Sequence, residues 1–101
     1  MSLKIPVPTD RLAGFCRRNR IRRLAFFGSV LRDDFGPLSD VDVLVEFEAR
    51  VVVGLFEIHD MEQELSALLG GRTVQISTQK WLSKYFRAQV LSEAEVAYVE
   101  T

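Results

Sequence analysis

The sequence is poor in the residue types that define specialised classes of protein. Its 101 residues include one cysteine, one histidine, one tryptophan and three prolines. The lone Cys16 excludes an internal disulfide framework and is typical of a protein kept in the reducing cytoplasm. The opening segment MSLKIPVPTD contains no long apolar run, so we predict neither a signal peptide nor a membrane span. We therefore expect a cytoplasmic protein.

An excess of charge of one sign is also lacking. Thirteen Lys and Arg residues are set against fourteen Asp and Glu residues, for a net charge of −1, which argues against a general attraction to nucleic acid or anionic membranes. A hydrophobic fraction of 48% is enough for one modest core, so we predict a single domain over residues 1–101. A chain this short could also form a homo-oligomer or depend on a partner to cover apolar surface.

Hydrophobic periodicity and turn signals predict an α/β domain with a small central sheet flanked by helices. The predicted elements are a helix over residues 9–19, a strand over 24–27, a helical turn over 30–34, a loop over 35–39, a strand over 40–47, a helix over 55–69, a strand over 72–77 and a helical pattern over 81–91. The spacing of Ser92 and Glu95 is that of a capping box ahead of a last short segment.

Two carboxylates stand one residue apart on the clearest strand. Alternation directs Asp40 and Asp42 to the same face, with Cα atoms about 6.6 Å apart. Such a pair can converge on Mg²⁺, which takes one or two carboxylates and completes its coordination with water and phosphate oxygens. By itself, an Asp-x-Asp pair is more often a solvated polar face.

A second feature lies upstream, where the strand over 24–27 ends at Gly28-Ser29. Glycine permits close approach of the backbone, the serine hydroxyl can donate a hydrogen bond, and amides at a helix start attract anions. A Gly-Ser turn alone is common. Together with the carboxylate pair ten residues later, it predicts a seat for a nucleoside triphosphate and its metal.

These residues resemble the signature of the DNA polymerase β-like nucleotidyltransferase superfamily: Gly28-Ser29, ten residues, then Asp40-x-Asp42. The longer string GSVLRDDFGPLSDVDVLVEFE resembles the minimal nucleotidyltransferases paired with HEPN-domain toxins, and the likeness continues through GLFEIHDMEQELSALLGGRTV and KYFRAQVLSEAEVAY. The resemblance implies a mixed-sheet nucleotidyltransferase fold and Mg²⁺-dependent ATP binding. In some members it also implies transfer of AMP to a tyrosine of the toxin, which silences that ribonuclease. Gly28 and Ser29 would then hold the triphosphate, and Asp40 and Asp42 the metal.

One position departs from the family pattern. A third carboxylate is expected on the strand after the long helix, but this sequence reads Val74-Gln75-Ile76. Gln75 is expected on the strand face that looks at the site, and its neutral amide cannot accept a proton. One interpretation is a protein that binds nucleotide and one metal ion with weakened or absent transfer. The alternative is an inactive antitoxin that neutralises its toxin by protein contact alone. Glu46 or Glu48 could substitute for the missing acid, although nothing in the sequence places either one there.

Arginines near the end of the first helix allow two interpretations. Five arginines lie within residues 17–23, which could form a patch for RNA, nucleotide phosphate or an acidic partner. They could equally complement the carboxyl end of a helix and remain solvated, which we favour. Arg32, one turn beyond Ser29, could reach a phosphate or could pair with Asp33, Asp34 or a partner's acid.

The remaining notable side chains have ordinary explanations. His59 has no second ligand at metal-binding spacing, so we predict a surface or packing role. Cys16 falls on the apolar stripe of the first helix and is predicted to lie in the core. Trp81, Tyr85 and Phe86 could form a partner interface, but we favour packing of the last helix on the sheet.

Overall fold

The structure is a computed structural model that describes residues 5–32, 35–36 and 39–100. Two short 3₁₀ turns accompany the helices and strands, one at Gly28–Leu31 and one at Gln79–Trp81. The described elements are helices α1 (Thr9–Arg18), α2 (Leu55–Leu68) and α3 (Lys84–Glu93), and strands β1 (Ile21–Phe27), β2 (Val41–Phe47), β3 (Val74–Ser77) and β4 (Glu95–Val99). The predicted helical turn and loop include positions 33–34 and 37–38, which lie outside the described residues.

The four strands form one mixed sheet in the order β3-β2-β1-β4. Strand β1 is antiparallel to both β2 and β4, whereas β2 and β3 are parallel. A parallel pair needs a long crossover connection, usually a helix, and α2 supplies it between β2 and β3. The prediction of a small mixed sheet flanked by helices is confirmed.

The hydrophobic core lies between one face of the sheet and helices α1 and α2. Strand residues such as Leu24, Phe26 and Val43 are completely buried there, as are Phe15 of α1 and Leu65 of α2. At about 25 cal/mol per Å² of apolar area, burying such side chains is the main stabilising contribution to a domain of this size.

Cys16 belongs to this core, as predicted. Its side chain is fully buried, and burial raises the pKa of the thiol to about 12. The thiol therefore stays protonated, and a protonated thiol is a poor nucleophile and a poor metal ligand.

The face of the sheet opposite the core carries the site. Along β2, Val41, Val43 and Val45 are buried as the alternation predicts. Asp42 and Glu46 are only half-buried on the other face. Leu44 shares that polar face and yet is 7% exposed, so other segments must cover it there.

Two predictions for the C-terminal third are wrong. Ser92 is not a helix cap: it lies within α3, where its hydroxyl donates to the carbonyl of Gln89. Glu95 begins a strand, because pairing with β1 provides hydrogen bonds and side-chain contacts that a local capping pattern does not foresee.

The aromatic residues of this region are not packed on the sheet as we favoured. Trp81, Tyr85 and Phe86 are 50%, 82% and 61% exposed, and α3 has no buried residue. The alternative, a surface offered to a partner, is the one that their exposure favours.

The arginine-rich segment is largely solvated. Arg17 and Arg18 lie in the last turn of α1, where positive charge complements the helix dipole. Arg18 forms an ion pair with Glu64 of α2, and Arg22 pairs with Glu46 at 3.2 Å. His59 is exposed on α2. Among the described residues, no helix is long and apolar enough to cross a membrane.

Candidate nucleotide and metal site

Two aspartates lie at the start of the central strand β2. Asp40 directly precedes the strand, and Asp42 is its second residue. The register places Asp42 between Phe27, the last residue of β1, and Gln75 of β3. The carboxylate pair therefore lies where the chain leaves β1 for the Gly28–Leu31 turn.

Gly28 brings the backbone of this turn against Asp42. Its φ of +78° lies in the left-handed region, and a Cβ atom built there would be 2.5 Å from Asp42 Oδ2. Only glycine fits both the conformation and the space. Next to it, the hydroxyl of Ser29 donates to the backbone carbonyl of Asp40 at 3.3 Å, which ties the turn to β2. The structure thus brings together the two motifs that the sequence separates by ten residues.

Gln75 completes the group on the β3 side. Its amide Nε2 donates to Asp40 Oδ2 at 3.2 Å. The side chain therefore lies beside the aspartate pair, on the face that strand alternation predicts, but it supplies an amide where the family pattern has an acid. Within residues 5–32, 35–36 and 39–100, no group of three or more His, Cys, Asp or Glu side chains could hold a metal ion.

Electrostatics at the pair favour a cation. The pKa of Asp42 is raised, first by burial and then by the nearby charge of Asp40, while Arg32 lowers it. Two close carboxylates with unfavourable ionisation are stabilised by a divalent cation placed between them. The residues present therefore fit a magnesium ion held by two carboxylates, with water and phosphate oxygens as the remaining ligands. Arg32, which is exposed, is close enough to influence Asp42 electrostatically.

Neither candidate replacement for the third acid joins the pair. Glu46 lies four residues beyond Asp42 along β2, about 13 Å at the usual rise of a strand, and it is bound to Arg22. Glu48 shares a hydrogen bond with the carboxyl of Glu100, which raises the pKa of Glu100. Both acids are committed to the opposite end of the strand.

Sequence reasoning missed two features near the site. Glu62 of α2 accepts a hydrogen bond from the backbone N–H of Ile76 at 2.8 Å, which fastens the strand that carries Gln75. On the open face of the sheet there is also a groove of about 700 Å³, whose lining on β2 runs from Leu44 to Phe47, toward the end of the strand away from Asp42. The only sequence signal for the groove is Leu44, a large apolar residue on the polar face of β2.

Comparison with known proteins identifies the family. The model of the nucleotidyltransferase domain family matches residues 10–97, which is most of the chain. The chain belongs to the nucleotidyltransferase domain family. It is also similar to protein adenylyltransferase MntA of Thermococcus cleftensis, with 37% identity over 79 residues that cover 78% of this chain and 75% of that protein.

Solved structures of nucleotidyltransferases share the fold. A minimal nucleotidyltransferase has 35% identity and a TM-score of 0.68, with 85% of each chain covered. A toxin–antitoxin complex with AMP-PNP has 16% identity and a TM-score of 0.73, over 94% of this chain and 76% of that one. An MNT antitoxin in complex with the tri-AMPylated HEPN toxin of Shewanella oneidensis has 17% identity and a TM-score of 0.65, over 90% and 69%. At identities below 20%, the last two show the fold alone.

Proposed function

We propose that this nucleotidyltransferase is an antitoxin that binds ATP with one Mg²⁺ ion and forms a complex with a HEPN-domain ribonuclease toxin in the cytoplasm. The observation that supports the nucleotide proposal is the close approach of Gly28 to Asp42, which sets the backbone of the Gly28-Ser29 turn against the carboxylate pair. Support for the partner comes from the similarity to MntA and from the fold shared with antitoxins in toxin complexes.

Each residue of the pocket has a separate task in this proposal. The amides of the Gly28-Ser29 turn donate to phosphate oxygens, and Arg32 adds a positive charge. The serine hydroxyl joins them by exchanging its bond to the Asp40 carbonyl for one to phosphate. Asp40 and Asp42 hold the metal ion. When bound, magnesium neutralises the phosphates and polarises the phosphorus that is attacked.

Transfer of AMP requires a group that accepts a proton, which this site supplies poorly. The tyrosine oxygen of the acceptor would bond to the α-phosphorus, the bond from that phosphorus to the bridging oxygen would break, and pyrophosphate would leave. The tyrosine proton must pass to a base, and the Gln75 amide cannot accept it. The amide also leaves metal charge uncompensated. We therefore propose that binding is retained and that transfer is weak or absent.

A second candidate is neutralisation of the toxin by contact alone, without any role for nucleotide. It is favoured by Gln75 and by the exposed aromatic side chains at the C-terminal end, since buried aromatic side chains dominate many protein interfaces. The two candidates differ in whether ATP matters, so binding of ATP and chemical transfer must be measured separately.

The deciding experiment uses the purified chain, α-³²P-labelled ATP, Mg²⁺ and a HEPN-domain protein, taken from the neighbouring reading frame where the genome encodes one there. We expect calorimetry to detect Mg²⁺-dependent ATP binding, and we expect little label on the toxin. Gln75→Asp should raise labelling of a toxin tyrosine by tenfold or more, about 1.4 kcal/mol of barrier. Gln75→Asn, which has the shape of the aspartate variant without its acid, should not.

Three outcomes would contradict the proposal. Strong labelling by the wild-type chain would show that Gln75 does not impair transfer. A silent Gln75→Asp variant that still binds ATP would reject our explanation of the defect. No heat with ATP and Mg²⁺ at millimolar concentrations would leave the contact-only candidate.

A further inference from the structure

The groove that begins at Leu44 lies on the same face of the sheet as the site. Residues i and i+2 of a strand point to one face, so Leu44, which lines the groove, shares the face of Asp42. The register extends this face sideways, because Leu44 is paired with Ala25 of β1, and Ala25 with Val96 of β4. The floor of the groove therefore begins one alternation step from the pair, about 7 Å away along β2.

The groove is open to solvent, and apolar side chains make up part of its lining. Beyond the strands, it is lined by Val51 and Val53 of the loop after β2, by Trp81 of the turn after β3, and by Leu91 of α3. Trp81 and Leu91 are 50% and 45% exposed. An aromatic and an aliphatic side chain in a concave site are typical anchors for the apolar side chains of a partner.

The charges around the groove are unbalanced towards positive. Arg23, Arg50 and Lys80 line it, are exposed, and form no ion pair with any described residue. Of the two acids in the lining, Glu46 pairs with Arg22, whereas Glu48 shares a hydrogen bond with the carboxyl of a further acid, Glu100. In a chain with a net charge of −1, this local surplus complements an acidic ligand.

We infer that this groove docks the acceptor segment of the partner toxin, a stretch with an apolar or aromatic side chain beside acidic residues. The inference rests on the proposed function for the identity of the partner. Apolar anchors would enter between Trp81 and Leu44, while acids would pair with Arg50 and Lys80. The end of the seated segment nearest Leu44 would lie about 7 Å along β2 from Asp42. A hydroxyl at that end can approach nucleotide phosphates held at the aspartate pair.

The test compares two double variants on neighbouring parts of the same region. Trp81→Ala with Leu91→Ala removes the exposed anchors of the groove. Tyr85→Ala with Phe86→Ala removes aromatic residues that are at least as exposed, at 82% and 61%, but do not line the groove. Neither pair contains buried residues, so both variants should fold; circular dichroism and the melting temperature verify this.

Calorimetry measures two affinities separately. One is the affinity for the HEPN-domain protein used in the deciding experiment above, and the other is the affinity for ATP–Mg²⁺. We expect the groove variant to bind the toxin at least tenfold more weakly, with ATP affinity within twofold of wild type, and the control variant to bind both as wild type does. Lys80→Glu with Arg50→Glu should weaken toxin binding at low salt more than at 0.5 M NaCl, because charge pairs at a surface are screened by salt.

Several results would overturn the inference. Undiminished toxin binding by the groove variant would exclude the groove as the docking site. A loss of ATP affinity with toxin binding intact would make the groove part of the nucleotide site. Equal weakening by both double variants would mean that contact is not specific to the groove. If the wild-type chain binds ATP–Mg²⁺ but not the toxin, the partner in the proposed function is wrong, and the groove inference fails with it.

Discussion

At the scale of single residues, Gly28 is the position where backbone conformation and site geometry depend on each other. Gly28→Ala should lower the free energy of unfolding by about 1–3 kcal/mol, because the residue holds a left-handed conformation. The added methyl would also displace the Asp42 carboxylate, so Mg²⁺-dependent ATP binding should be lost. Urea denaturation and calorimetry measure the two effects.

Gly14→Ala is the matched control for that substitution. Gly14 lies within α1, and nothing lies within 4 Å of a Cβ atom added there. Alanine in a helix interior is favoured over glycine by about 0.5–1 kcal/mol, so this variant should be more stable than wild type and should bind ATP normally. If Gly28→Ala matched Gly14→Ala in both stability and ATP binding, the role assigned to Gly28 in the turn and in the site would be refuted.

At the residue scale, the proposed metal-binding role of Asp42 is opposed by its effect on stability. Its raised pKa means that the folded protein holds this proton more tightly than the unfolded chain does. The cost of ionisation is fully present above the folded pKa and is relieved as the pH falls through it. At pH 7 in EDTA, Asp42→Asn should therefore raise the free energy of unfolding.

That gain should shrink as the pH falls through the raised pKa of folded Asp42, because the folded carboxyl then takes up its proton. Well below 3.8, the ordinary pKa of an aspartate, the carboxyl is neutral in both states and the gain should vanish. Chemical denaturation at neutral and acidic pH tests the sign. A variant that is less stable than wild type at pH 7 would show that ionised Asp42 stabilises the fold.

At the scale of elements, β3 depends on a side chain of α2. Glu62→Ala should remove the acceptor of the Ile76 N–H and cost about 1–2 kcal/mol. Glu62→Gln keeps an acceptor oxygen and should restore most of the loss. Hydrogen exchange of the Ile76 amide provides a local measurement, and exchange unchanged by Glu62→Ala would contradict this role.

The elements also show how far the sequence alone could lead. Strong apolar periodicity was sufficient to predict α1, α2, β2 and β3, and strand alternation placed Gln75 beside the aspartates. Strand β1 begins at Ile21, whereas the sequence predicted a start at residue 24. The predicted strand started late because Arg22 and Arg23 face solvent and interrupt the run of apolar residues. Strand β4 exists through its pairing with β1, a contact distant in sequence, so local signals suggested a capping box instead.

The site was more predictable than the surface around it. Gly28, Ser29 and the two aspartates belong to short motifs whose chemistry limits how they can be arranged. The exposure of Trp81 depends on where α3 lies relative to the sheet. Apolar spacing could not predict this position, because the spacing is the same for a helix that packs on its own domain and for one that packs on a partner.

At the scale of the whole molecule, a second apolar cluster lies outside the core and the site. Val52, Leu55 and Phe56 are 89%, 81% and 89% exposed, at the start of α2 and just before it. Leu55→Lys with Phe56→Ser should leave the free energy of unfolding within about 0.5 kcal/mol of wild type, because these side chains lose little water contact on folding. Solubility should rise. Urea denaturation and light scattering check both, and marked destabilisation would mean that these side chains support the fold.

The exposed position of Gln75 has an evolutionary consequence. Its side chain is held by a hydrogen bond to Asp40 and contributes nothing to the core, so the fold places little constraint on which polar residue stands there. Glutamine and glutamate codons differ only in their first base. A lineage could therefore gain or lose an acid beside the aspartates through a single point mutation, and pass between a protein that sequesters its target and one that modifies it without rebuilding the scaffold.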